Sequence, residues 1–260
     1  MNFNENNNNS TNGAINVMIQ LVPESLKKTI DNVFYRIFRN YNNNSNLMRV
    51  YDDAIIEKFR TEIHEYLTDI PLSELIQPKF RVLLSALETS RYCLEDDIVR
   101  KMFAKLIASS AQTTKCERIH PSFPSIIGSM SPLDAENLLY FKTDNVLPVA
   151  AYYYSTTPAV GMMRNAMKPV FLSNTQSRSV EDQSESIVCL ERLGIIEIQY
   201  DKSITDSRVY TPFYQHDYYR MLCDNLNKRD DLKQFDRVFV QEGVANLTSF
   251  GEKFIAVCCE

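Results

Sequence analysis

From Leu26 onward apolar residues return every three or four positions, and that rhythm stops near Tyr140. Leu26, Ile30, Val33, Phe34, Ile37, Phe38 and Tyr41 share one helical stripe. Pro23 stands at its start, where a missing N–H is harmless, and Asn42-Asn43-Asn44-Ser45-Asn46 breaks the run. A second stripe of Tyr51, Ile55, Phe59, Ile63, Tyr66 and Leu67 predicts a helix over 47–67, closed by Asp69-Ile70-Pro71. Phe80, Leu83, Leu84 and Leu87 mark a third helix. Ile98, Met102, Phe103, Leu106 and Ile107 mark a fourth, with Glu95, Asp96 and Asp97 placed for its dipole. A short helix follows over 121–130, and Ser131-Pro132-Leu133-Asp134 reads as a capping-box start for another.

After Asp144 the pattern changes. Val146 to Tyr154 reads as extended chain. A helix over 179–193 ends at Gly194, which suits a left-handed closing residue, and a strand over 195–200 follows at once. Turn residues 201–207 lead to an extended 209–214, an amphipathic insertion over 216–228, a strand over 237–247, and LTSFGEKF opening a last helix. Helix, Leu-Gly turn, strand, hairpin and LTSFGEKF form the order of a winged helix. The expected fold class is therefore mainly α: an N-terminal helical bundle followed by a winged-helix-like α+β unit. The expected organisation is an Asn-rich tail over 1–20, a helical domain over 20–141 and a winged-helix-like domain over 142–260. The tail, MNFNENNNNSTNG at its start, offers little to bury and reads as disordered. It has no basic and apolar leader, and no apolar run reaches the roughly 18 residues of a membrane span, so a cytoplasmic protein without membrane contact is expected.

Catalytic signatures are sparse. The six glycines are too dispersed for GxGxxG or a Walker loop. His64-Glu65 opens like HExxH, but Thr68 stands where the second ligand belongs. His120, before Pro121, reads as a capping residue. Six irregularly spaced cysteines, Cys258-Cys259 among them, read as free thiols. No catalytic residue, metal ligand or cofactor is expected. A winged helix raises duplex DNA as a partner, but the helix before the wing opposes it. Arg178 and Arg192 face Glu181, Asp182, Glu185 and Glu191, and the wing's Lys202 and Arg208 are balanced by Asp201 and Asp206. The whole chain carries −5, so nucleic acid is disfavoured. Tyr152-Tyr153-Tyr154 could stack bases, yet tyrosine also favours edge strands and protein interfaces. Tyr152, Tyr153, Tyr154, Tyr218 and Tyr219 are the candidate protein interface; the competing reading has them fill the junction between the two parts.

RYCLEDDIVRKMFAKLIASSAQ, IHPSFPSIIGSMSPLDAENL, LERLGIIEI and LTSFGEKFIAVC carry a family resemblance. They fall at Asp96 to Ala108, His120 to Ile127, Ser131 to Ala135, Leu190 to Gly194 and Leu247 to Gly251, within roughly residues 70–258. On these blocks the chain resembles the bacterial abortive infection alpha (Abi-alpha) family. The resemblance implies a part in phage–host conflict and brings no catalytic residues; the tail and residues 205–240 look individual to this chain. The expected function is a non-enzymatic interaction protein of phage–host conflict, in defence or in phage-encoded counter-defence. Its partner is expected to be a phage or host protein or a second copy of itself as a homo-oligomer. The alternatives are a winged-helix DNA-binding transcriptional regulator and an enzyme with an unrecognised site.

Overall fold

A computed structural model of the chain describes residues 22–39, 46–157, 162–175 and 179–260, with side chains from residue 53 onward in the second helix. The expectations for the 1–20 tail, Tyr41, residues 42–45 of the 42–46 breaker, the Tyr51 side chain and Arg178 lie outside the described residues, and Asn46, the last breaker residue, begins a helix. The described chain divides into two compact units. One runs to Ser129 and includes Lys253–Glu260; the other is Met130–Glu252.

The first unit is helical. Helix α1, Glu24–Phe38, buries Leu26, Ile30, Phe34 and Phe38, the stripe that the sequence spells out. Pro23 sits one residue before it, in extended geometry. Helix α2, Asn46–Thr68, answers with Ile56, Phe59, Ile63 and Leu67. The Phe34 and Phe59 rings meet at 5.9 Å, and each such buried side chain stabilises the unit by about 1.5–3 kcal/mol. Helix α3, Phe80–Ser90, and helix α4, Asp97–Ser110, follow. Helix α4 is buried over most of its circumference, as a helix surrounded by others must be, and packs against α2, α3 and the short α6. The Asp96 side chain starts α4 by accepting from the Ile98 and Val99 backbone N–H groups, so the acidic run is a cap. Between α4 and α6, Phe123–Gly128, lies the single-turn α5, Thr113–Cys116.

The largest buried side chain of this unit is charged. Arg100, 1% exposed, meets Glu62 through Nε at 2.9 Å and Nη2 at 3.0 Å, donates from Nη1 to the Leu94 carbonyl at 2.8 Å, and pairs with Asp97. A second cluster ties α1 to α2. Asp31 accepts from Arg60 at 2.9 and 3.1 Å, and His64 Nε2 lies 2.9 Å from the same carboxylate. Thus His64 is held by an aspartate of α1.

The second unit opens on helix α7, Pro132–Tyr140, whose capping box is complete: Asp134 N–H donates to Ser131 Oγ and Ser131 N–H to Asp134 Oδ2. Four strands follow: β1, Val146–Ser155; β2, Met163–Phe171; β3, Ile196–Gln199; and β4, Arg237–Leu247. They pair antiparallel in the order β2-β1-β4-β3. Helix α8, Val180–Arg192, packs on β2 and α7. A buried amide cluster joins the last two: Asn137 donates to Gln183 at 2.8 Å and to Ser186 at 2.9 Å, and Asn174 donates back to Asn137 at 2.8 Å.

Residues 209–214 differ from expectation. They form a 3-10 turn, Ser207–Tyr210, and helix α9, Thr211–Gln215, rather than extended chain. Asp206 caps the turn and Pro212 occupies the first turn of α9, where proline is preorganised for helix and where a ladder donor would be missing. Tyr210 is drawn inward, its hydroxyl donating to the Gly243 carbonyl at 2.9 Å. Consequently β3 takes β4 as its partner across the intervening stretch. That stretch also holds helix α10, Asp217–Lys228, which begins at His216. Strand β2 has no counterpart in the sequence reading.

LERLG and LTSFG turn out to be two sides of one junction. Gly194 closes α8 at φ +74°. The Thr248 hydroxyl lies 2.7 Å from the Gly194 carbonyl and 3.0 Å from that of Ile195. Gly251 N–H donates to the same hydroxyl at 2.9 Å, starting helix α11, Ser249–Cys258. A Cβ on Gly251 would fall on the Ile195 carbonyl oxygen, so glycine there permits the close approach. Phe254 and Val257 of α11 belong to the first unit, where the Phe254 ring meets Phe123 edge-on at 5.0 Å and Ser109 donates to the Val257 carbonyl.

Candidate functional site

Side chains alternate across a strand, so three consecutive tyrosines cannot share one face. Tyr152 and Tyr154 point to the face covered by residues 204–235 and join its apolar core with Val238, Val240, Phe213, Leu222 and Phe235. Tyr152 is fully buried; its hydroxyl donates to the Phe213 carbonyl at 2.7 Å, and burial pushes its pKa well above the usual phenol. Its ring stacks with Tyr218 at 6.4 Å and tilts against Tyr219 at 5.7 Å. The structure thus brings Tyr152, Tyr154, Tyr218 and Tyr219 together on one face and leaves Tyr153 on the other.

Above that core lies an accessible rim. Tyr214 of α9 and Met221 of α10 are each 44% exposed. The Tyr214 ring meets Tyr219 edge-on at 6.1 Å, and its hydroxyl donates to Glu242 at 3.1 Å. Burial, then the Glu242 carboxylate, pushes the Tyr214 hydroxyl up to about 12. Sequence reasoning missed both residues. The signal for Met221 is its register: Tyr218, Tyr219, Leu222, Cys223 and Leu226 form the inward stripe of α10, and Met221 falls outside it.

On the opposite face, Tyr153 of β1 sits directly across from Phe239 of β4 and beside Asn165 of β2. Tyr200, just beyond β3, lies against Gly243, where a Cβ would come within 2.8 Å of its ring. Lys168 Nζ lies 4.4 Å from the Tyr200 ring centroid, and the Arg237 guanidinium 5.7 Å from that of Phe239. Burial, then Tyr153 and Glu191, raises the Tyr200 hydroxyl well above its ordinary value. Neither Tyr200 Oη nor Arg237 Nε has a hydrogen-bond partner among the described residues. The sequence reading grouped Tyr153 with its neighbours, and strand alternation is the signal that could have separated it; nothing in the sequence brought Tyr200 and Lys168 together, because they meet across the width of the sheet.

The first unit has a small cleft of about 210 Å³ that includes Tyr66, Asp69, Lys105, Ser109 and Lys115 in its lining. Two of its polar groups are committed: Lys105 donates to the Cys259 carbonyl at 2.6 Å and lies 5.4 Å from the Tyr66 ring, and Ser109 donates to the Val257 carbonyl. Burial drives the neighbouring Cys258 thiol well above its usual pKa, which keeps it protonated and a poor nucleophile. Among the described residues, no group of three or more His, Cys, Asp or Glu is placed to hold a metal ion, and no helix is long and apolar enough to cross a membrane.

These features define a mainly helical protein with a small four-stranded antiparallel sheet. The model of the abortive infection alpha family matches residues 52–258, and the chain belongs to that family. This membership carries a phage-defence related role. No curated protein matches the chain. A solved structure, an uncharacterized protein from the hydrocarbon-degrading marine bacterium Alcanivorax borkumensis SK2, is similar at 8% identity and a TM-score of 0.36, over 57% of this chain and 96% of that one. At those values nothing about this chain follows from it.

Proposed function

We propose that this chain is a non-enzymatic cytoplasmic interaction protein of phage–host conflict that acts by binding a phage or host protein, or a second copy of itself. The observation that carries the reading is the rim of Tyr214 and Met221 over the tyrosine core. Tyrosine and methionine are enriched at protein interfaces, and a rigid aromatic layer beneath preorganises the contact. Tyr218 and Tyr219, half-buried, form the floor of that surface. The order α8, β3, β4, α11 also supports reading residues 142–260 as a winged-helix-like part whose wing carries a long excursion. In that reading α8 bears four acids against one arginine, which favours protein contact over duplex DNA.

The test is Met221→Glu, which adds charge at an exposed site and leaves the core intact. Light-scattering mass of the purified variant, and recovery of partners from phage-infected cells, are read beside the melting temperature. Lost association at unchanged melting is expected. Unchanged mass together with unchanged partner recovery would remove the rim from the function.

A further inference from the structure

We propose that the other face of the sheet binds single-stranded nucleic acid, with Tyr153 and Phe239 as stacking rings and Lys168 and Arg237 as phosphate contacts. Tyr153 and Phe239 are directly opposed on the two central strands, which sets their side chains roughly 5 Å apart at Cβ. Both rings are half-buried. Paired aromatic rings on neighbouring strands are a geometry that reads unstacked bases, because every base has a π-face and a partly accessible ring can take one. Asn165, exposed beside Tyr153 on β2, adds a donor and an acceptor suited to base edges.

The charges on this face select a polyanion. Lys168 is exposed, and both cations rest over rings on long flexible stems, so each can exchange a ring for a phosphate without moving the backbone. Arg237 Nε is buried and has no hydrogen-bond partner among the described residues, so its guanidinium keeps a donor that no described protein group uses. The nearby acid is engaged: the Glu191 carboxylate accepts from the Ile198 N–H at 3.1 Å. A duplex fits less well. Its bases are stacked on one another and are not free to take the rings. The site lies on the opposite side of the sheet from the Tyr214–Met221 rim, so the two proposals stand or fall separately.

Fluorescence anisotropy of the full chain with labelled oligouridylate and oligodeoxythymidylate of about 15 nucleotides, and with a duplex of equal length, tests the assignment. Single strands are expected to bind at least about tenfold more tightly than duplex, with affinity falling between about 50 and 200 mM salt. Tyr153→Ala is expected to weaken binding about tenfold or more. Lys168→Glu changes an exposed residue, so its effect does not depend on packing; it is expected to weaken binding and flatten the salt dependence. Circular dichroism melts establish that each variant is folded. Absent single-strand binding, duplex bound equally well, or Lys168→Glu without effect on affinity or salt slope would overturn the proposal. So would variants that alter oligomeric mass instead of nucleic-acid affinity, since the face would then be a protein contact.

Discussion

Arg100 shows how much one buried charge can control. Its guanidinium has contacts to Glu62, Asp97 and the Leu94 carbonyl, and these outweigh the desolvation that opposes its charge. Arg100→Ala leaves Glu62 buried and uncompensated, so urea unfolding should report a loss of about 3–5 kcal/mol. Arg100→Met combined with Glu62→Leu should recover most of that loss, since well-packed apolar groups replace a buried ion pair at little net cost. The two motif glycines separate backbone conformation from space. Gly194 has φ +74° and nothing within 4 Å of an added Cβ, so Gly194→Ala should cost about 1 kcal/mol from conformation alone. Gly251→Ala meets the Ile195 carbonyl and should cost more, about 1–3 kcal/mol. Equal losses in the same unfolding experiment would contradict this division.

At the scale of elements, most boundaries follow from local chemistry. Asp96 and the Ser131–Asp134 box start their helices through side-chain oxygens, and Gly194 ends one through its φ. The pairing of α1 with α2 is instead pH-dependent through Asp31. Burial raises its pKa, but the hydrogen bonds from Arg60 and His64 outweigh this and hold the carboxyl below its ordinary value. A depressed folded pKa means a contribution present at neutral pH and lost as pH falls through the acid range below about 4. Asp31→Asn should therefore cost about 1 kcal/mol at pH near 7, after solvent screening, and less as the pH drops below about 4. Stability curves of the variant and wild type that run parallel through that acid range would show that Asp31 contributes nothing by ionisation.

For the whole molecule, net charge sets the background against which any site works. A chain at −5 repels phosphate at long range, so duplex DNA is expected to bind no more tightly than about 10⁻⁴ M at physiological salt. Submicromolar duplex binding with a steep salt slope would overturn that expectation and favour the regulator reading. Any single-strand binding must come from a local surface, which is why the exposed Lys168 is the informative residue.

The helical stripes, caps, the Gly194 turn, strands β1, β3 and β4 and the family were all legible in the sequence, because each depends on residues within a few positions of one another. Leu26 to Phe38 needs only a period of 3.6, and Ser131 needs only Asp134. The partner of β3 was not legible, nor was β2. Residues 209–214 have the composition of a strand, but Pro212 and the pull of Tyr210 toward the Gly243 carbonyl turn them into helix. The tyrosines make the same point. Alternation alone separates Tyr153 from its two neighbours, but which face is covered depends on where residues 204–235 fold back. Only tertiary packing decided that Tyr152 is core, that Tyr214 and Met221 form a rim, and that Tyr153 shares a surface with Phe239, Tyr200 and Lys168. The physical reason is range: caps and periodicity act between neighbours along the chain, whereas a binding surface is assembled from residues that only the folded sheet brings together.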